Sequence, residues 1–306
     1  MKYRNFLFVV VLLSVFISCK KNSAPSQKTP GTNVYVSGYS GASVTATTTL
    51  GTYWKNGVPV NIPNVAGLGP VATSGADVYI LAGATYWKNG VPLSIPNEMF
   101  THTIVVQGSD VYVTGKSSTA GGAIYWKNGV EVNLNTPNAY TMGLAVSGND
   151  VYVAGAENDK AVYWKNGQVV NLPDGGYMAN AIAVSGSDVY VGGNSASGGD
   201  VYWKNGVEMS LGLHATVTSM TVSGNDVYFA GGVSGTSGSL IKPVYWKNGQ
   251  VVYLTGSSNN ASSIAVSGQD VYVAGGMNGY GYAVYWKNGV IDTLGIGATF
   301  GIAIGQ

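Results

Sequence analysis

The stretch Val-Tyr-Trp-Lys-Asn-Gly-Gln-Val-Val at 162–170 returns unchanged at 244–252. Its centre, Tyr-Trp-Lys-Asn-Gly, occurs seven times in 306 residues and contains every tryptophan: Trp54, Trp87, Trp126, Trp164, Trp203, Trp246 and Trp286. These lie 33 to 43 residues apart, the spacing of a repeat architecture in which one small structural unit is copied along the chain. A second phrase, Asp-Val-Tyr, keeps step with them from Asp77, Asp110, Asp150, Asp188, Asp226 and Asp270, and Asn33-Val34-Tyr35 is its first, imperfect copy.

Each unit divides into four short pieces rich in Val, Ile and Tyr and bounded by Gly, Asn or Ser, the signature of strands. Asn-Gly between the third and fourth pieces supplies the two positive φ angles of a type I′ turn, so Asn56-Gly57 through Asn288-Gly289 are read as hairpin tips. Ser-Gly-x-Asp, as at Ser147–Asp150, is a second tight turn, its aspartate expected to accept backbone N–H bonds. The unit is therefore a four-stranded antiparallel meander. Pro59, Pro92, Glu131 and Glu208 fall in the fourth strand, and such residues blunt an exposed sheet edge, so that strand is the outer one. The first strand carries no charge and alternates large with small residues, as in Ile182-Ala183-Val184, which suits an inner position. Tyr and Trp, being adjacent, point to opposite faces of the sheet, and both are expected to be buried, with the lysine beside them a solvated turn residue.

The repeats begin at a second strand (Asn33–Ser37) without its first, and finish at Gly301–Gln306, a first strand without its second. Each end supplies what the other lacks. Pairing them closes a circle, so the fold expected is all-β: a seven-bladed β-propeller of four-stranded antiparallel blades, closed by the C-terminal strand on the N-terminal blade. Through Gly192-Gly193, Gly231-Gly232 and Gly275-Gly276 after the second strand, followed by aromatic residues in the third, residues 33–306 loosely resemble kelch repeats.

Ahead of the body, residues 1–18 read as an export signal: Lys2 and Arg4, then about a dozen apolar residues from Phe6 to Ile17, too short to span a bilayer. Cys19, the sole cysteine, follows Phe16-Ile17-Ser18 in a pattern that resembles the lipobox of bacterial lipoproteins, and Lys20-Lys21 resembles those of the Bacteroidetes. The resemblance implies cleavage before Cys19, its acylation with chains such as palmitate, and a lipid-anchored place in the bacterial cell envelope at the outer membrane. Residues 19–32 then form a lipidated, flexible tether.

Charged residues make up 9% of the chain and the net charge is +1, with the only arginine, Arg4, inside the signal. A body without arginine lacks the bidentate fork for phosphates and has no field to steer polyanions, so nucleic acid is not an expected partner. Sialidases, which hold an acidic sugar with an arginine cluster, are disfavoured on the same ground. Neither His-x-x-x-His, Asp-x-Asp-x-Asp nor Gly-x-Ser-x-Gly occurs. No cofactor, metal site or catalytic group is assigned, and a monomer is expected.

In a meander, both kinds of tight turn lie at one end of the ring and the variable loops at the other. Residues that differ between units are not required by the blade, so a binding site is expected at the variable end. Alignment on the first strand places Gly69, His102, Met142, Asn180, Thr218, Ser262 and Phe300 at equivalent positions around the central channel. The candidate ligand-binding set is Phe100, His102, Tyr140, Tyr177, Asn180, His214 and Phe300, with Asp200 among the loop carboxylates. Rings stack on sugar faces and amides bond hydroxyls, so the expected function is a non-catalytic binding module for a glycan or a protein, the alternative being a structural scaffold or, less favoured, a propeller hydrolase or lyase.

Overall fold

The structure is a computed structural model and describes residues 31–43, 48–119, 121–173, 175–196, 199–212, 215–234, 242–256, 258–277 and 281–306. The signal, Cys19, nearly all of the tether and His214 lie outside the described residues. Thr32–Gln306 forms one compact unit, and its described residues contain strands and turns but no helix.

Each hairpin tip adopts the conformation its sequence demands: φ is 51° at Asn166 and 83° at Gly167, with similar values at the other six. Five units fold as separate four-stranded antiparallel blades, named here by their tryptophans: Trp87, Trp126, Trp164, Trp203 and Trp246. In each, the strands lie side by side in chain order. The first is innermost and the fourth is outermost and largely exposed. The innermost strands touch one another in sequence around a ring, and the strand Val290–Gly305 links the last of them to the first.

Seven separate blades were expected; instead, five four-stranded blades are joined by one seven-stranded sheet carrying both Trp286 and Trp54. The cause is Val290–Gly305 itself, which runs 16 residues without a break. Its first part is the outer strand beside Tyr282–Lys287, and its second pairs with Asn33–Gly41 from Asn33↔Gly305 to Ser40↔Gly297. In the other units a loop separates the outer strand from the next inner one. Here only Gly295 (φ 120°) and Gly297 (φ 145°) bend the chain, so the ladder continues from one unit into the next. The pairing of the chain's last strand with its first is as the unmatched ends required.

The core is divided into seven hydrophobic clusters, one at each junction between units. Each joins the second-strand tyrosine of one unit to the tryptophan of the next: Tyr112 with Trp164, Tyr152 with Trp203, and across the closure Tyr272 with Trp54. The indole N–H reaches the preceding unit as well, Trp126 donating to the Pro96 carbonyl at 3.0 Å and Trp203 to that of Pro173 at 2.9 Å. Six tryptophans are fully buried, while Trp87 is half-buried. An aromatic side chain of this kind buries about 150–250 Å², worth roughly 4–6 kcal/mol gross at about 25 cal/mol per Å². The tyrosines beside them are less enclosed than expected: Tyr202 is buried, but Tyr53, Tyr86, Tyr125, Tyr163, Tyr245 and Tyr285 are half-buried, because the neighbouring unit covers that face only in part.

The lysine and asparagine of the repeated phrase do more than shape a turn. Lys127 pairs with Asp110 at 2.8 Å and lies 5.2 Å from the centre of the Tyr112 ring. Asn128 Nδ2 donates to Asp110 Oδ1 at 2.8 Å, and Asn128 Oδ1 accepts the Val111 N–H at 2.8 Å. Six units repeat the lysine–aspartate pair. The lysines are therefore not free turn residues, and the carboxylates accept from side chains rather than from backbone N–H groups. In the first unit Asn33 replaces the acid; Asn56 Nδ2 donates to Asn33 Oδ1 at 2.9 Å, and Lys55 keeps only its position over Tyr35.

Candidate functional site

The inner strands are built on a shared irregularity. Thr101 pairs with Gly115 and Thr103 with Thr114, so His102 is an extra residue with no partner opposite. Asn180, Thr218, Ser262 and Phe300 are skipped in the same way, and Met142 lies in the corresponding interruption between Thr141 and Leu144. The aligned positions are thus β-bulges, which re-aim a side chain out of the ladder. Glycine on the adjoining strand makes this possible: a Cβ on Gly115, Gly155, Gly193 or Gly231 would collide with the carbonyl oxygen of Phe100, Tyr140, Met178 or Thr216.

The bulged residues divide into two kinds. Asn180 Nδ2 donates to the Val217 carbonyl at 3.4 Å, Thr218 to that of Ala261 at 2.7 Å and Ser262 to that of Thr299 at 3.0 Å, each bond crossing to the next unit. Asn180, expected to face a ligand, joins two blades through this bond. On the other side of the ring the bulged residues are His102, Met142 and Phe300. There the crossing bonds come from other hydroxyls, Thr114 donating to the Met142 carbonyl at 2.7 Å and Ser37 to that of Gly69 at 2.6 Å. His102, Met142 and Phe300 are thereby relieved of the linking role.

At the junction of the Trp126 and Trp164 blades, at the variable end, a cavity of about 660 Å³ is lined by Phe100, His102, Lys116, Pro137, Tyr140 and Met142, with Gly121 and Gly122 along one side. The Phe100 ring, 46% exposed, meets His102 edge-on with centroids 5.3 Å apart. Burial holds the His102 imidazole below the usual histidine pKa, so it is neutral at pH 7. Lys116 is exposed and, among the described residues, has no ion pair, which makes it the cavity's one cation.

The structure brings together Phe100, His102 and Tyr140 of the expected set and leaves the others apart. Tyr177 is 62% exposed on the Trp203 blade, and Phe300 packs against Tyr39 with ring centres 5.9 Å apart. Lys116 and Pro137 were not singled out from sequence, and loop length would not have found them, since other units carry longer loops at the same places.

Asp200 is not on a loop surface: it is 3% exposed, its carboxylate accepting from the Val217 N–H and from Asn194 Nδ2, each at 2.5 Å. Burial nevertheless raises its pKa, the two bonds opposing that shift. Glu98 is raised by burial too. Among the described residues no three His, Cys, Asp or Glu side chains gather as metal ligands would.

No protein-family model matches the chain, and no curated protein matches it. Among solved structures, the acylaminoacyl peptidase of Pyrococcus horikoshii is similar over 88% of this chain and 51% of that one, with 11% identity and a TM-score of 0.53. The computationally designed Ika8 protein is similar over 72% of this chain and 71% of its own, with 18% identity and a TM-score of 0.48. Apo AztD from Citrobacter koseri is similar over 90% and 98%, with 12% identity and a TM-score of 0.46. At such identities the likeness is one of fold.

Proposed function

We propose that this β-propeller is a non-catalytic binding module whose site is the cavity between the Trp126 and Trp164 blades, with a glycan as its ligand. The observation that carries the reading is the convergence of Phe100, His102, Tyr140 and Met142 in one cavity, on the side of the ring where the bulged side chains are not used to join blades. An exposed ring held edge-on by His102 offers a flat face to a sugar ring, and Lys116, His102 and Tyr140 supply polar groups around it. A protein partner is the second reading, favoured by the exposed apolar surface of Met99 and Phe100. The test is a glycan-array screen of the purified protein, repeated with Phe100→Ala/Tyr140→Ala. Binding lost in the variant while thermal unfolding is unchanged supports a glycan site. Binding that survives the double substitution overturns it.

The leader sequence supports export and a lipid anchor at Cys19 in the cell envelope. Asn33, where the first strand begins, lies at the tight-turn end of the body, and the cavity lies at the variable end. Mass measurement of the mature N-terminus, with Cys19→Ser as control, tests the anchor. We also read the seven-stranded sheet as two blades sharing Val290–Gly305, so that the ring has one blade for each of the seven repeats, a reading supported by the seven inter-unit clusters.

A further inference from the structure

A second cavity of about 660 Å³ lies between the same two blades but at the tight-turn end, lined in part by Gln107, Tyr125, Asn133, Asn135, Asn149 and Gln168. The repeat-encoded polar groups around it are occupied. Asp110 is held by Lys127 and Asn128, and Asn166 by Asp150 and the Val151 N–H. The remaining amides are not. Asn135, Asn149 and Gln168 are exposed and their side chains make no hydrogen bond among the described residues. Gln107 uses Nε2 on the Gly148 carbonyl at 2.9 Å, and Asn133 uses Oδ1 on the Asn135 N–H at 2.7 Å, leaving one end of each amide open.

This collection belongs to one junction. Where the Trp126 unit has Gln107, other units have Ser74, Ser147, Ser185, Ser223 and Ser267; where the Trp164 unit has Gln168, five units have Val58, Val91, Val130, Val207 and Val290, and the one other glutamine, Gln250, has no Gln107 counterpart beside it. Asn133 and Asn135 flank Leu134 at the end of an outer strand, a pair absent from every other unit. The only charges in the lining, Asp110 and Lys127, neutralise each other at 2.8 Å. An anionic ligand therefore meets no free cation, and an apolar one would leave open amides without partners, at a cost of about 1–3 kcal/mol each. A row of amides, three with both ends open and two with one, beside the half-buried Tyr125 ring matches a ligand that is uncharged and dense in hydroxyl groups.

We infer that this groove is a second binding site, for a neutral hexose oligosaccharide. It uses different residues from the cavity at the variable end, and its success or failure is separable from that of the proposed site.

The test is calorimetric titration of the purified full-length chain with maltohexaose, cellohexaose and mannohexaose. The informative variant is Gln107→Ser/Gln168→Val, because both replacements are residues that other units carry at these positions. Ser74, for one, still reaches the next turn, donating to the Gly108 carbonyl at 2.8 Å. The expected result is binding of at least one hexaose, weakened tenfold or more by Gln107→Ser/Gln168→Val and unaffected by Phe100→Ala/Tyr140→Ala. The inference is overturned if none of the three hexaoses binds, if the borrowed pair leaves affinity unchanged, or if only Phe100→Ala/Tyr140→Ala abolishes it.

Discussion

At the scale of single residues, the five repeated letters each have a separate task. Tyrosine covers part of one face and tryptophan fills the junction on the other. Lysine neutralises an aspartate, asparagine ties the turn to the second strand, and glycine completes the turn. The tryptophans are not equivalent, however. Trp164 is fully buried and donates to Thr136 Oγ1 at 2.9 Å, whereas Trp87 is half-buried and its Nε1 has no partner among the described residues. Trp164→Ala is expected to cost about 3–5 kcal/mol in denaturant unfolding and Trp87→Phe far less. The pH dependence of stability follows from the charged pairs. The aspartates at the six tight turns are held below the ordinary value of 3.8, through lysine first in most units and through Asn166 first at Asp150. A depressed carboxylate stabilises the fold above its unfolded pKa and loses that contribution as pH falls through the folded one. Four of their lysines, Lys88, Lys127, Lys204 and Lys247, are raised above 10.5, chiefly by the hydrogen bond to aspartate, and lose their contribution as pH rises past the folded value. The unfolding temperature should therefore be nearly flat from about pH 5 to pH 9 and fall on both sides, most clearly below pH 4. The pairs are exposed and individually weak, so the curve reports their sum. Asp200 acts in the opposite sense, its raised pKa offsetting a little of that gain as pH rises past the ordinary carboxylate value.

At the scale of elements, the strands, their order and the hairpin tips were legible because each is encoded within a few residues: Asn-Gly for the turn, alternation for the inner strand, Pro and Glu for the edge. The bulges were not, since an extra residue in one strand is visible only against its neighbour's register. Nor was the role of Asn180, whose partner is the Val217 carbonyl on the next blade. Alignment of the units did find positions that bulge from the inner strands, but no local signal shows which of them are used in joining blades. Two measurements bear on these elements. Asn166→Ala forces a residue with a Cβ and no capping amide to hold φ near 51°, and is expected to cost about 1–3 kcal/mol, with Asn166→Gly recovering the conformational part. Gly193→Ala drives a Cβ into the Met178 carbonyl oxygen and should destabilise by a similar amount, read as a lower denaturant midpoint with unchanged m.

At the scale of the whole molecule, the closed arrangement was legible from two incomplete units at opposite ends of the chain. The merged sheet was not, because the missing turn between Asp292 and Phe300 becomes meaningful only when one strand is seen to serve two units. That strand carries Ile302 and Ala303 into the clusters on its two faces. Ending the chain at Gly297 is expected to abolish cooperative unfolding and raise binding of a hydrophobic dye, whereas removing Gln306 alone should change neither.

The pairing of Asn33 with Gly305 also sets a tempo. Every blade between them is made of contacts close in sequence and can form early and locally. The final seam waits for two segments at opposite ends of the body to meet, an encounter whose chain-entropy cost precedes any reward. Until then Asn33–Gly41 has one unpaired edge, an open ladder of Val, Tyr and Val able to recruit the same strand from another molecule. The stage most exposed to misassembly is therefore the interval before closure, and crowding many copies together during refolding should lower the yield far more than it harms the closed ring.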